Sequence, residues 1–235
     1  MGLVKNGFIK TGLLLVIGCS FFITGNIYAQ GDFIENCRGG AQAVGGIQIN
    51  DAADGFAGGI SGSYKGIVDF GLSVGYMDIH KNGTTATTFS PSIILHAVKP
   101  SYFKTPVSVS LGFVYQNQTN KPNDEAGGEY FTPPKVKADY YIPAIYFYRN
   151  YDLNPTTVLQ PNFGLGYAFG NRFLESGGSM PGLGEDNQII YSFGLSMFFK
   201  NNENTIFRAD LGVQVDERYT TVGIQFGLIH RVPKR

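Results

Sequence analysis

An acid and a histidine stand two residues apart at the end of the segment FGLSVGYMDIH, residues 70 to 80. Side chains two residues apart point to the same face of an extended chain, so Asp78 and His80 share a face. A carboxylate beside an imidazole can orient the ring and raise its basicity, as a general base requires. Both are therefore candidate site residues. A polar strand end that leads into KNGTTATT explains them without chemistry, and we favour this second interpretation.

A second group of polar residues alternates with apolar residues in strand-like segments and falls on the opposite face. Acids and bases so placed can form an ion path or gate, or a hydrogen-bonded network that only fills and stiffens an interior. We favour the network. His96 belongs to the group if Ile93 and Leu95 face outward, and the full set is Asp69, His96, Arg149, Arg208, Asp210, Gln214, Asp216 and Arg231.

Familiar motifs of soluble enzymes are weak or absent in the sequence. It has no closely spaced cysteine pair and no histidine cluster. GLGYAFG lies in a strand pattern with no helix after it, so it is no dinucleotide loop. The acidic residues of the segments 118–136 and 171–186 lack a calcium-ligand spacing. We expect no metal and no cofactor.

The N-terminus has the layout of a secretory signal peptide over residues 1–29. Lys5 and Lys10 precede an apolar stretch from Leu13 to Ile23, and the small-residue exit NIYAQ follows. Cys19 is interpreted as an ordinary residue of this stretch rather than a lipidation site. Without the leader, the chain has 16 basic residues (18 minus two) and 18 acidic ones, which gives a net charge of −2. No nucleic-acid partner is indicated. Cys37 then has no internal disulfide partner.

The rest of the chain alternates with a period of two almost from end to end, in short segments separated by Asn, Gly, Pro and Asp. This pattern predicts an all-β domain over residues 41–232, preceded by a tail over 30–40. We place its strands at 41–50, 55–65, 67–79, 88–98, 106–117, 137–149, 156–170, 187–199, 205–216 and 219–232.

Three features distinguish these strands from those of a soluble sandwich. Their polar face is rich in Gly, Ser, Asn and Gln, which suit the crowded inside of a narrow barrel. The run 67–76, tilted by ~45°, climbs about 24 Å, close to the ~25 Å apolar band of membrane barrels. Long connections alternate with short ones. Aromatic residues near strand ends are predicted to form interfacial girdles: Tyr64, Tyr76, Tyr115, Tyr148 and Phe199.

The patterns FGLSVGY, FGLGYAFG, SFGLSMFF and VGIQFGLIH resemble those of small bacterial outer-membrane β-barrels of the porin-like and OmpA-like type. The resemblance implies a closed, antiparallel, up-and-down transmembrane barrel of about ten strands, with eight as the alternative. It also implies periplasmic termini and, as partners, outer-membrane lipid, lipopolysaccharide and the barrel-assembly machinery. Such barrels commonly end on an aromatic residue, whereas this chain ends HRVPKR.

The expected function is a structural, binding or narrow-pore role in the outer membrane, without enzymatic activity. An alternative follows from the resemblance, because some barrels of this type are proteases or lipid A hydrolases with sites at the outer rim. Asp78 and His80 lie at that level if Tyr76 marks the outer girdle. The sequence offers no second acidic pair and no matching serine there.

Overall fold

The computed structural model describes residues 39–80, 84–99, 105–122, 135–175, 182–217 and 219–232. The predicted signal peptide and Cys37 lie outside these residues. Eleven strands are present in the described part: β1 Gly40–Ile49, β2 Ala53–Tyr64, β3 Val68–Ile79, β4 Thr84–Val98, β5 Ser108–Pro122, β6 Lys135–Tyr148, β7 Tyr151–Asn154, β8 Thr157–Glu175, β9 Gly182–Lys200, β10 Thr205–Val215 and β11 Thr220–Arg231. The described residues contain no helix that is long and apolar enough to cross a membrane.

Ten of the strands close into one antiparallel barrel. Each pairs with its neighbour in the chain, β6 pairs with β8, and β1 pairs with β11, which joins the two ends of the sheet. Both ends of the barrel domain therefore lie at one rim, called here the terminal end, and the opposite rim is the loop end. The prediction of a closed antiparallel barrel of about ten strands is confirmed.

Three details differ from the prediction. β4 begins at Thr84 instead of 88, and β5 ends at Pro122 instead of 117. β8 and β9 are each 19 residues long and extend into the predicted loop 171–186. At ~3.3 Å per residue and ~45° tilt they climb about 44 Å, well beyond the ~25 Å band. In addition, the predicted turn 150–155 contains β7, which pairs only with β8. The Arg149 amide donates to the Pro161 carbonyl of β8. Pro161 has no N–H and cannot donate a hydrogen bond back, so the pairing with β8 is interrupted between β6 and β7.

The tight connection from β2 to β3 fixes their register. Lys65 and Gly66 have φ values of 54° and 65°, and the Ile67 amide donates to the Tyr64 carbonyl at 3.0 Å. Two central residues with positive φ define a type I′ turn, whose twist matches that of the flanking strands. Asp69 on β3 consequently lies opposite Ser63 on β2.

The core lies inside the barrel, where buried apolar clusters lie beside buried polar side chains. At the loop end, Met77 and Ile79 pack with small residues such as Ala53 and Ala86. Tyr140 and Ile142 form a second buried cluster, and Phe198 and Ile206 belong to a third near the terminal end. Tyr140, Tyr148 and Phe198 are among the largest side chains that are fully buried. Aromatic rings therefore occupy the lumen at several levels.

Candidate functional site

The lumen at the terminal end contains a buried chain of hydrogen bonds around His96. Its Nε2 atom lies 2.8 Å from Asp69 Oδ2, and Nδ1 lies 2.8 Å from Ser110 Oγ and 3.2 Å from Tyr148 Oη. The side chains of Asp69 and His96 are both 0% exposed. β3, β4, β5 and β6 each contribute one residue. Asp69 and His96 thus lie inside the barrel, as their parity predicts.

The prediction that Tyr148 belongs to an interfacial girdle is wrong. Even-numbered residues of β6 face the lumen, and Tyr148 is 2% exposed and belongs to the His96 chain. The pattern ADYYIPAIYFY places aromatic side chains on both faces of β6, so alternation alone does not distinguish the lipid face from the lumen face.

A second buried group lies near the same end, on β1, β9 and β10. Arg208 Nε donates to Asp210 Oδ1 at 2.7 Å, and Nη1 donates to Gln42 Oε1 at 3.3 Å. The guanidinium lies 5.6 Å from the centre of the Phe198 ring. Arg208 and Asp210 stand two residues apart on the inward face of β10, where their parity places them. Gln42 lies on β1 and reaches this site only because β1 pairs with β11 and closes the barrel. The sequence analysis therefore missed it.

The remaining lumen candidates lie elsewhere. Gln214 and Asp216 are half-buried at the loop end, where Asp216 Oδ1 accepts a hydrogen bond from the Tyr219 amide at 2.9 Å. Arg231 is half-buried at the terminal end. The placement of Arg149 in the lumen is wrong. It is exposed at the end of β6, on the outward parity, and its guanidinium lies 4.9 Å from the centre of the Tyr151 ring.

A third polar group, in the loop-end half of the lumen, was missed altogether. Tyr140 Oη donates to Asp186 Oδ2 at 3.0 Å, and Arg172 Nε lies 3.8 Å from the same oxygen. Arg172 and Asp186 are 7% and 3% exposed. Both have inward parity, but the predicted strands ended at 170 and began again at 187, which left them in a loop. Predicted strands that continued past 170 and began before 187 would have placed both residues in the lumen.

The outer-rim candidates are exposed, and the structure does not pair them with each other. His80 Nε2 lies 3.0 Å from Asp54 Oδ2, with side chains 51% and 54% exposed. Asp54 on β2 lies directly opposite Asp78 on β3. Below this row the rings of Phe56 and Tyr76 stack at 5.4 Å. The site therefore contains two carboxylates and one imidazole above an aromatic pair.

The described residues hold no group of three or more His, Cys, Asp or Glu side chains that could bind a metal ion. A hydrogen-bonded His–Asp pair at the rim can move a proton, whereas the buried groups in the lumen lie away from solvent.

The outer surface defines the class of the protein. Large apolar side chains at least 38% exposed occur on every one of the ten barrel strands: Ile47, Ile60, Leu72, Ile93, Phe113, Tyr141, Leu165, Phe193, Leu211 and Phe226. A closed barrel satisfies its backbone hydrogen bonds without water, and only helices and closed barrels can cross a bilayer. An apolar belt around a closed antiparallel sheet is the surface of a transmembrane β-barrel.

Solved structures with a similar chain path are bacterial outer-membrane proteins. The attachment invasion locus protein Ail of Yersinia pestis is 11% identical, with a TM-score of 0.41, over 83% of this chain and 97% of its own. The translocator domain of the autotransporter NalP from Neisseria meningitidis is 12% identical, with a TM-score of 0.48, over 97% of both chains. An outer membrane channel from Pseudomonas putida is 7% identical, with a TM-score of 0.46, over 85% of this chain and 97% of its own.

No protein-family model matches the chain. No curated protein matches it either.

Proposed function

We propose that this chain is an integral protein of the bacterial outer membrane with a structural or binding role and, at most, a narrow pore. The filled lumen carries the proposal. Buried rings of Tyr140, Tyr148 and Phe198 stand inside the barrel, and the Arg208–Asp210 pair lies beside one of them. Water-filled lumens belong to barrels of ~16 strands, whereas narrow barrels are plugged by their own side chains.

The proposal includes an exported protein with periplasmic termini, no enzymatic activity and no cofactor. Its partners would be outer-membrane lipid, lipopolysaccharide and the barrel-assembly machinery. The apolar belt supports contact with lipid, because side chains of this size on all ten strands need an apolar surrounding.

Planar-bilayer recording tests the filled lumen. We expect the purified protein to insert and to show no large, stable conductance. Arg208→Ala opens space beside Phe198, so a small increase in conductance would show that the Arg208–Asp210 pair helps to block the lumen. Arg149→Ala is the matched control, because Arg149 is exposed outside the lumen. A large conductance in the unaltered protein would contradict the proposal.

A hydrolase at the loop-end rim is a second candidate, and one observation favours it. The Asp54 carboxylate lies 3.0 Å from His80 Nε2, which is a geometry that supports a general base. Mass spectrometry of lipid A and a peptide-cleavage assay, each with the unaltered protein and His80→Ala, test this candidate. Identical products from both proteins would leave His80 as a polar rim residue.

A further inference from the structure

The outward face of the barrel carries a groove across β1 and β2, in the half nearer the terminal end. Its volume is about 670 Å³. Ala41, Ala43 and Gly62 form its floor, while Leu228 on β11, Ile60 on β2 and Phe70 on β3 line its sides. It therefore interrupts a belt that is otherwise built from large apolar side chains.

The strand register explains why the groove runs along the strands. Outward side chains on one strand recur every second residue, so small residues two apart make a continuous floor. On β1 these are Ala41, Ala43 and Gly45. Gly45 continues this row of small residues and lies opposite Gly58 on β2 and Phe226 on β11.

Two outward glycines of this face, Gly45 and Gly62, have no internal reason to be small. A Cβ atom added at either would meet nothing closer than 3.9 Å. The inward Gly46 is different, because a Cβ there would overlap the Ile224 carbonyl. The backbone packing therefore requires Gly46 but leaves space above Gly45 and Gly62.

The two ends of the groove have different chemistry. At its upper end the floor stops at Ile47, 54% exposed, and at Phe56, which stacks on Tyr76. At its lower end the exposed side chain of His230 lines it, one residue from the end of β11. The groove is thus apolar along its length and has a polar, protonatable group at the terminal-end interface.

We propose that this groove binds one acyl chain of an anionic phospholipid from the periplasmic leaflet, with the head group beside His230. The inference rests on the membrane location proposed above. Beside Ala43 the groove is bounded by Leu228 on β11 and Ile60 on β2, two strand spacings apart and about 10 Å between axes, which suits a single hydrocarbon chain between their side chains. From Ala41 to Gly45 the row of small residues runs about 13 Å along the strand, within the reach of one ~15 Å leaflet at ~45° tilt. A second barrel would present a broad convex surface, which fits this groove poorly.

Native mass spectrometry of detergent-purified protein titrated with dipalmitoyl phosphatidylglycerol tests the site. We expect the unaltered protein to retain one lipid. Ala43→Leu combined with Gly62→Leu fills the floor and should weaken retention about tenfold, which corresponds to the burial of about two methylene groups of the acyl chain. Ala43→Leu alone should weaken it less. Ala97→Leu is the matched control, because Ala97 is an exposed outward residue of β4 away from the groove, and it should leave retention unchanged.

Equal retention by all four proteins would overturn the proposal. So would a dimer of the unaltered protein that the double variant dissolves, since a second copy would then occupy the groove. A second experiment separates the lipid site from the membrane location on which it rests. It measures insertion into vesicles of the same lipid by the gel mobility of unheated samples. Insertion without a retained lipid refutes the groove alone, and failure to insert refutes the membrane location.

Discussion

At the residue scale, the barrel contains two Asp–His pairs of the same chemistry in opposite surroundings. Asp69 and His96 are 0% exposed, whereas Asp54 and His80 are about half exposed. Removal of one partner from a buried hydrogen bond leaves the other polar group unsatisfied, at a cost of about 1–3 kcal/mol, while an exposed pair contributes about 0–1 kcal/mol. We expect Asp69→Ala to lower the free energy of unfolding by about 1–3 kcal/mol and Asp54→Ala by less than about 1 kcal/mol, measured by urea unfolding in one detergent.

Asp69→Leu combined with His96→Leu provides the internal control for this prediction. Replacement of both polar partners by apolar groups leaves neither of the two unsatisfied, so the double variant should be more stable than Asp69→Ala. Equal destabilisation by Asp69→Ala and Asp54→Ala would show that burial does not control the strength of these pairs.

At the element scale, β1 contains neighbouring glycines with opposite packing. The inward Gly46 lies against the β11 backbone at Ile224, whereas a Cβ at the outward Gly45 would have free space. We expect Gly46→Ala to lower the free energy of unfolding by about 1–3 kcal/mol, because the added methyl group must displace the closing strand. Gly45→Ala should change it by about 0.5 kcal/mol or less. Urea unfolding measures both variants, and similar values would argue against close contact of β1 and β11 at the closure.

At the scale of the whole molecule, the apolar belt sets the depth of the barrel in the bilayer. Phe226 is 65% exposed in the middle of β11, and Val222 lies on the same face near the loop end. Val222 pairs with Ile49, which pairs with Asp54, so its row already contains a charge. Phe226→Arg should destabilise the protein in vesicles by about 2–4 kcal/mol and Val222→Arg by about 0–1 kcal/mol, because the cost of a charge falls towards the interface. Unfolding from vesicles measures the difference, and equal costs would place the membrane elsewhere.

The sequence by itself determined the ten strands that form the barrel and the face that most of their apolar side chains take. Side-chain alternation is a property of the extended backbone, and small inward residues with large outward ones appear in single segments such as FGLSVGY. It placed Asp69, His96, Arg208 and Asp210 inside for the same reason. It was less informative on β6, where both faces carry aromatic residues, and at the strand ends beyond 170 and before 187.

Only the tertiary structure decided which side chains meet. Diagonal neighbours on adjacent strands lie ~7–8 Å apart, which long side chains can still bridge. His80 accordingly reaches Asp54, which lies opposite Asp78, and His96 reaches Asp69, which lies opposite Ile94 and 27 positions away in sequence. Turn geometry and barrel closure fix these registers, and closure brings Gln42 to Arg208 over 166 positions. Alternation assigns a residue to a face, but the register assigns its partner.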